Sequence, residues 1–324
     1  MNIYEEVKGA LTIGIGGHIR PDGDCVGAAL GLCLYLSKVC PESVVQVFLE
    51  KPADVFSCIS GISQIRTDFT TDVEQFDVFI ALDTSKDRLG KAQDYFEKAK
   101  KRINIDHHIS NSGCGDVNYI MPDASSTSEL VYNVIEDKSK LDVEIAKALY
   151  IGIIHDTGVF QYSNTSPETL KTAAELVSYG FDFSRLIEET FYEKTYVQTQ
   201  ILGRALLESI LFMDGKCVVS MLDKKTMKFY QAESYDLEGI VSRLRTIKGV
   251  ECAIFMYQLD TLEYKVSLRS SGKVNVAKVA AFFGGGGHER AAGVTMQGTF
   301  HDVVNNLSAH IDAQLKDIDK PAQS

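Results

Sequence analysis

Aspartates and histidines stand in short groups along this chain, and each group follows an apolar run. The segment LTIGIGG (11–17) leads into His18, Asp22 and Asp24, DVFIAL leads into Asp83, and RINI leads into Asp106, His107 and His108. A later stretch, DVEIAKALYIGIIHDTGVF, reads as a helix delivering His155 and Asp156 near its end. Acids of this number are costly to gather. Two carboxylates ~5 Å apart repel by roughly 3 kcal/mol at an effective dielectric of about 20. Several such pairs would exceed an ordinary net folding stability. If Asp22, Asp24, Asp83 and Asp156 meet, they must protonate, disperse or bind cations. Cation binding also accounts for the imidazoles, which add ligand atoms without adding charge.

The ligand types narrow the cation. Carboxylates with imidazoles and without cysteine suit manganese, since magnesium prefers oxygen and structural zinc usually recruits thiolates. Six or seven ligands are too many for one tetrahedral site, so two ions sharing a bridging aspartate are expected. Paired ions about 3.5–4 Å apart serve phosphoryl transfer. Each group alone is weak: PDGD is a common turn, and Asp83 would do as a helix cap. The signal is their conjunction at one sheet edge.

That edge follows from the element pattern. Strand expectations LTIGIGG, VVQVFLE, DVFIALD and RINIDHH alternate with helix expectations VGAALGLCLYLSK and GKAQDYFEKAKK. Such alternation predicts crossover units and a parallel sheet, in which ligands sit beyond the carboxyl ends of the strands. YEKTYVQTQILGRALLESILF reads as one long helix or two short ones, a semi-rigid connector. KCVVSML, ECAIFMYQL and EYKVSLRSS follow as strands, the last two a hairpin across DTL, and TFHDVVNNLSAHIDAQLKDI as an amphipathic helix. The fold class is α/β. It comprises a parallel-sheet domain over 1–190, a helical connector over 191–213 and a smaller α/β domain over 214–317. The tail DKPAQS is expected to fray.

The second domain carries AAFFGGGGHERAAGV. Four glycines inside a domain are poorly explained as a linker. Glycine permits positive φ and close backbone approach, so successive N–H groups over Gly284, Gly285, Gly286 and Gly287 can cradle an oxyanion. His288 and Arg290 stand beside that cradle, and Arg269 and Ser270 can join them.

GHIRPDGDCVGA, ALDTS, IDHHISN and GIIHDTGVFQYSNTS together resemble the motifs of the DHH phosphoesterases, in order and at compatible spacing over almost the whole chain. Cys25 departs mildly from the small residue usual there. The resemblance implies that His18, Asp22 and Asp83 hold one manganese ion. Asp24, Asp83, His107 and Asp156 hold the other, with Asp83 bridging and magnesium or cobalt as substitutes. It implies that His108 faces the scissile phosphate and that Asp106 orients an imidazole. His155 matches no ligand position and is expected to pack or face solvent; His301 and His310 are expected at the surface. The glycine run resembles the DHH-associated domain, in which Arg269, Ser270 and the loop Gly284–His288 would grip one nucleotide while the metal centre cuts the adjacent phosphate. A cleft between the domains would then favour short substrates.

Composition agrees. The net charge is -11 and the sequence pI about 5.2, without a basic stripe for long nucleic acid. Seven cysteines, none in C-x-x-C, read as reduced thiols and a cytoplasmic setting. No apolar run approaches the ~20 residues that cross a bilayer. The expectation is a manganese-dependent phosphodiesterase or phosphatase. Its substrates would be very short oligonucleotides, dinucleotides such as pApA, and 3′-phosphoadenosine 5′-phosphate. A cyclic di-AMP phosphodiesterase is the alternative, with an inorganic pyrophosphatase and a non-catalytic dinucleotide sensor behind it. A homodimer is left open.

Overall fold

The computed structural model describes residues 1–318; the tail DKPAQS lies outside the described residues. The chain packs as two units, Met1–Glu193 and Lys194–Ser324. In the first, a short helix α1 (Ile3–Val7) precedes β1 (Thr12–Gly16), α2 (Gly23–Val39), β2 (Val44–Phe48), β3 (Val78–Leu82), α3 (Gln93–Lys98) and β4 (Lys101–Asp106). Then come β5 (Val117–Ile120), α4 (Thr127–Val134), α5 (Val143–Asp156), α6 (Pro167–Val177) and α7 (Phe183–Ile187). All strand pairs are parallel, in the order β2-β1-β3-β4-β5. The chain leaves β1 toward one edge and β3 toward the other, so the order reverses between them. Loops diverge at such a point and open a crevice at the strands' carboxyl ends.

Burial explains the strand sequences. Every residue of β3 is buried, as a central parallel strand covered on both faces demands. One face carries α2, α4 and α5 over a large aliphatic core. The other carries a smaller cluster in which Phe79 meets Phe48, Phe76 and Phe96 at 5.6–6.1 Å between ring centroids. Helix α2 is buried nearly all round and packs most extensively against α5. Glycine makes that approach possible: a Cβ on Gly27 would lie 2.5 Å from the Ala148 carbonyl oxygen, and one on Gly152 would lie 1.9 Å from Ser128 Oγ. Two helices that bear acids, Asp24 and Asp156, are thereby drawn together.

The second unit contains α8 (Tyr196–Leu207), β6 (Ile210–Phe212), β7 (Cys217–Leu222), α9 (Lys224–Tyr230), α10 (Ile240–Arg245) and β8 (Cys252–Asp260). It continues with β9 (Glu263–Ser270), α11 (Val276–Phe282), β10 (Gly286–His288), β11 (Ala291–Gln297) and α12 (Phe300–Ile318). Its six strands form a mixed sheet ordered β10-β11-β9-β8-β7-β6, with only β7 and β8 parallel. β8 and β9 make the expected hairpin. Helix α12 buries Val303, Leu307, Ile311 and Leu315, one residue per turn, against one face. On the other face α8 contributes Ile201 and Ala205 beside α10.

One helix is shorter than its sequence suggests. The expected helix through LESILF ends at Leu207, and Ile210–Phe212 pair antiparallel with β7. Local helical preference lost there to an available sheet edge, which outweighs propensity for so short a segment. The segment is half exposed, so its apolar residues gave no clear period.

Candidate metal centre

The expected acids, Asp22, Asp24, Asp83, Asp106 and Asp156, reach the crevice because each stands at or beside the end of an element. Asp22 caps α2, its Oδ1 accepting from the N–H groups of Asp24 and Cys25, both at 3.1 Å. Asp24 lies in the first turn and is almost wholly buried. Asp83 follows β3 with φ 57°, a left-handed conformation that aspartate tolerates better than most residues. Its N–H still donates to the Ile105 carbonyl at 3.0 Å. Asp106 ends β4 and is followed by His107 and His108. Asp156 is the last residue of α5.

These residues converge. His18 Nε2 lies 3.6 Å from Asp22 Oδ1 and 3.4 Å from Asp83 Oδ2. His107 Nε2 lies 3.5 Å from Asp83 Oδ1, 3.4 Å from Asp156 Oδ2 and 3.9 Å from Asp24 Oδ2. The two oxygens of Asp83 therefore face different imidazoles, one in each half of the cluster. Two groups, Asp24 with His107 and Asp156, and His18 with Cys25 and Asp83, each bring three ligand atoms within 4.8 Å of one another. The expected ligands are all brought together.

The electrostatics ask for positive charge at this point. Burial, then the charges of Asp83 and Asp156, push the Asp24 carboxyl well above the usual range. Burial, with Asp83 and Asp22 nearby, lifts Asp156 to about 6. Burial disfavours a charged His18, yet Asp22 and Asp83 outweigh it and raise the imidazole to about 10. His107 is raised to about 10 in the same way, by Asp83, Asp24 and Asp156 against its burial. A divalent ion in each half satisfies the same demand, and a set of carboxylates and imidazoles suits it chemically. The centre can hold metal.

Behind the cluster a buried polar network fixes His108. Asp106 is fully buried, and its Oδ1 accepts from the N–H of His108 at 3.0 Å and pairs with His108 Nδ1 at 2.7 Å. Its Oδ2 accepts from Asn111 Nδ2 at 2.6 Å, and the same amide bonds Asn104 Oδ1 and the Thr84 carbonyl. The His108 ring is held by its Nδ1, which leaves Nε2 as its outward atom, and His108 is the most exposed of the three imidazoles. Asn104 and Asn111 escaped sequence reading, because only the fold lays them beneath Asp106.

Two further groups went unread. Thr127 and Ser128, in the first turn of α4, donate backbone N–H groups to Asp24 at 2.6 and 2.8 Å. A sequence signal existed: Ser126 and Glu129, spaced as a helix-starting pair, precede the apolar LVYNVI. The buried Cys25 thiol sits beside His18 and Asp83, and burial, with the Asp83 and Asp22 charges, pushes it well above its usual range. His155 packs edge-on to Phe56 and Phe191, with centroids 5.0 and 5.5 Å away. His301 is exposed, whereas His310 is half-buried against Phe282 and Phe283 rather than lying free at the surface.

In the second unit, register gathers the expected substrate-binding residues at one end of the sheet. Arg269 pairs with Ala291, and Gly286 with Gly293. Gly285 and Gly287 allow β10 to lie close on β11; a Cβ on either would come within 2.4 Å of a β11 carbonyl oxygen. Two N–H groups of the expected cradle are committed elsewhere, Gly284 donating to Ala281 and Gly285 to Ala280 as they close α11. Helix ends must satisfy their last carbonyls, and that need takes these donors. Ser270 is buried, and its Oγ accepts from the N–H groups of Gly272 and Val274. His288 and Arg290 are exposed.

Comparison with known proteins agrees with this geometry. Residues 12–153 match the model of the DHH family, N-terminal domain, and residues 214–317 that of the DHHA1 domain. The bifunctional oligoribonuclease and PAP phosphatase NrnA of Bacillus subtilis is 28% identical over 88% of this chain and 89% of its own. The protein of the same name from Thermus thermophilus is 29% identical over 92% of this chain and 89% of its own. Among solved structures, an exopolyphosphatase-related protein from Bacteroides fragilis superposes with a TM-score of 0.87 at 27% identity, covering 98% of this chain and 96% of that one. With its acid–imidazole cluster at the carboxyl edge of a parallel sheet, the chain belongs to the DHH family of phosphoesterases, with a DHHA1 domain following the catalytic one, and is a hydrolase.

Proposed function

We propose that this hydrolase cleaves very short oligonucleotides, dinucleotides such as pApA above all, to mononucleotides, and removes phosphate from 3′-phosphoadenosine 5′-phosphate, with manganese at its centre. One observation carries the reading: the two oxygens of Asp83 point to His18 and His107 at 3.4 and 3.5 Å, the geometry of a shared ligand between two cations. The likeness to two oligoribonuclease and PAP phosphatases over about nine-tenths of the chain supports the substrate class.

His18, Asp22 and Asp83 would hold one ion, and Asp24, Asp83, His107 and Asp156 the other. Bound there, such a pair supplies Lewis-acid charge to the phosphate and lowers the pKa of water. The chain's residues do the remaining work. His108, held at Nδ1 by Asp106, presents Nε2 toward the reacting phosphate and stabilises charge on it or on the leaving oxygen. Arg269, Ser270, His288 and the loop Gly284–Gly287 grip a phosphate or sugar of the substrate. Since two glycine donors are occupied, the side chains of His288, Arg290 and Arg269 carry most of that grip. A chain of net charge -11 would repel a long polyanion and tolerate a short one.

A substrate panel tests this reading. It comprises 5′-phosphorylated linear di- to pentanucleotides, cyclic di-AMP, 3′-phosphoadenosine 5′-phosphate and pyrophosphate, each with manganese and with a chelator. The expected result is fastest turnover of the dinucleotide, falling with length and abolished by the chelator. Preference for pyrophosphate, or binding without hydrolysis, would overturn it. Preference for cyclic di-AMP would keep the chemistry and replace the substrate.

A further inference from the structure

Helix α4 enters the metal centre by its amino end, and one of its residues touches two of the acids. Thr127 is completely buried. Its N–H donates to Asp24 Oδ2 at 2.6 Å, and its hydroxyl donates to Asp83 Oδ1 at 3.1 Å. The neighbouring Ser128 N–H completes the hold on Asp24, at Oδ1 and 2.8 Å. Asp83 Oδ1 is the oxygen that faces His107; its other oxygen faces His18. Both contacts of Thr127 therefore fall in the half of the cluster built from Asp24, His107 and Asp156.

A carboxylate oxygen has two lone pairs. A hydroxyl that takes one leaves the other in a fixed direction, whereas a carboxylate without that bond can rotate about its χ2 torsion. We propose that Thr127 is a positioning residue for the ion on the His107 side: its hydroxyl sets the direction in which Asp83 Oδ1 offers its remaining lone pair, and its amide holds Asp24 opposite. The ion on the His18 side, which meets Asp83 through the other oxygen, is set independently. This inference rests on the two-ion reading of the centre.

Manganese titration of the full-length protein separates the possibilities, followed by calorimetry and by the electron paramagnetic resonance of the spin-coupled pair. The native protein should bind two ions; binding one or none would remove the two-ion reading itself, whatever Thr127 does. Thr127→Val keeps the amide and the shape and removes the hydroxyl. It should bind one ion as the native protein does and the second about 10–100-fold more weakly, the range for partners that orient a metal ligand, with the coupled signal lost at concentrations that fill the native centre. Thr127→Ser should restore both ions. Unchanged affinity for both ions in Thr127→Val, equal weakening of both, or failure of Thr127→Ser to rescue would each overturn the proposal. Should Thr127→Val not fold, Thr127→Ala carries the same test with the same expected outcome.

Discussion

His108 shows how much a neighbouring side chain decides. An imidazole held at Nδ1 by a carboxylate carries a proton there, so its Nε2 donates to substrate only when the ring is protonated on both nitrogens. Asp106, itself gripped by Asn111, holds His108 Nδ1 at 2.7 Å and so selects the orientation. Asp106→Asn should keep the volume and lose the charge that stabilises a protonated ring. Its kcat should fall about 10–100-fold while manganese stoichiometry, measured by calorimetry, stays native. Parallel loss of metal would instead make Asp106 a ligand. At this scale the clustered acids and imidazoles were legible, because strand ends announce themselves as apolar runs that stop at a charged residue. Thr127, Ser128, Asn104 and Asn111 were not, since a buried hydroxyl or amide in one chain segment looks like any surface residue until a second segment is laid upon it.

Elements bring the acids together, and glycine sets how closely. Gly152 lies where a Cβ would meet Ser128 at 1.9 Å and Asp24 Oδ1 at 2.9 Å. Gly152→Ala should therefore destabilise by about 1–3 kcal/mol, the usual cost of overpacking, and should weaken metal binding as well. Urea midpoints and a manganese titration measure the two effects; a normal metal affinity in a destabilised protein would show that α5 yields rather than Asp24. At the opposite end of the sheet, Asp77 joins the starts of β1 and β3. Its carboxylate bonds Lys100 at 2.7 Å and the N–H groups of Leu11 and Thr12 at 2.9 and 3.0 Å. Lys100 first, then those amides, hold the Asp77 carboxyl down at about 2 from an ordinary 3.8. A lowered folded-state value means stability that is present above about pH 4 and disappears as pH falls toward 2. Asp77→Asn should cost about 1–2 kcal/mol near neutrality, discounted for partial exposure, and the gap from native should close on acidification. A gap as wide at pH 2.5 as at pH 7 would contradict this. The central strands and long helices were readable from period and burial. β5, β6, β10 and β11 were not: the first three span only three or four residues with little burial to fix a period, and β11 opens on Ala-Ala-Gly, residues with little strand preference.

On the scale of the molecule, charge and composition constrain the partner more than the fold does. The chain carries 44 acidic against 33 basic residues, so local cations must do the attracting. Among the described residues, no helix is long and apolar enough to cross a membrane. Arg269 lies at the sheet end that carries His288 and Arg290, where β9 runs beside β11. In the proposed reaction its contact exists before the transition state, so Arg269→Ala should raise KM about tenfold and leave kcat nearly native. Steady-state kinetics on a dinucleotide decide this, and equal losses in both parameters would assign Arg269 to the chemical step. The alternation of strand and helix made the first unit legible as a whole. The glycine run did not yield so directly, because Gly284 to Gly287 answer to helix termination and strand contact as well as to any ligand.

The left-handed turn at Asp83 has a consequence for durability. Glycine there would relax the backbone, and asparagine would relieve the crowding of charge with no change in shape. Only asparagine both tolerates that backbone and keeps an acceptor for the buried Thr127 hydroxyl, so Asp83→Asn should stay folded while abolishing hydrolysis, and scanning calorimetry with a dinucleotide assay would show both at once. The strained turn and the shared carboxylate are thus one feature: the backbone twist that lifts Asp83 off its strand aims one oxygen at each of two imidazoles.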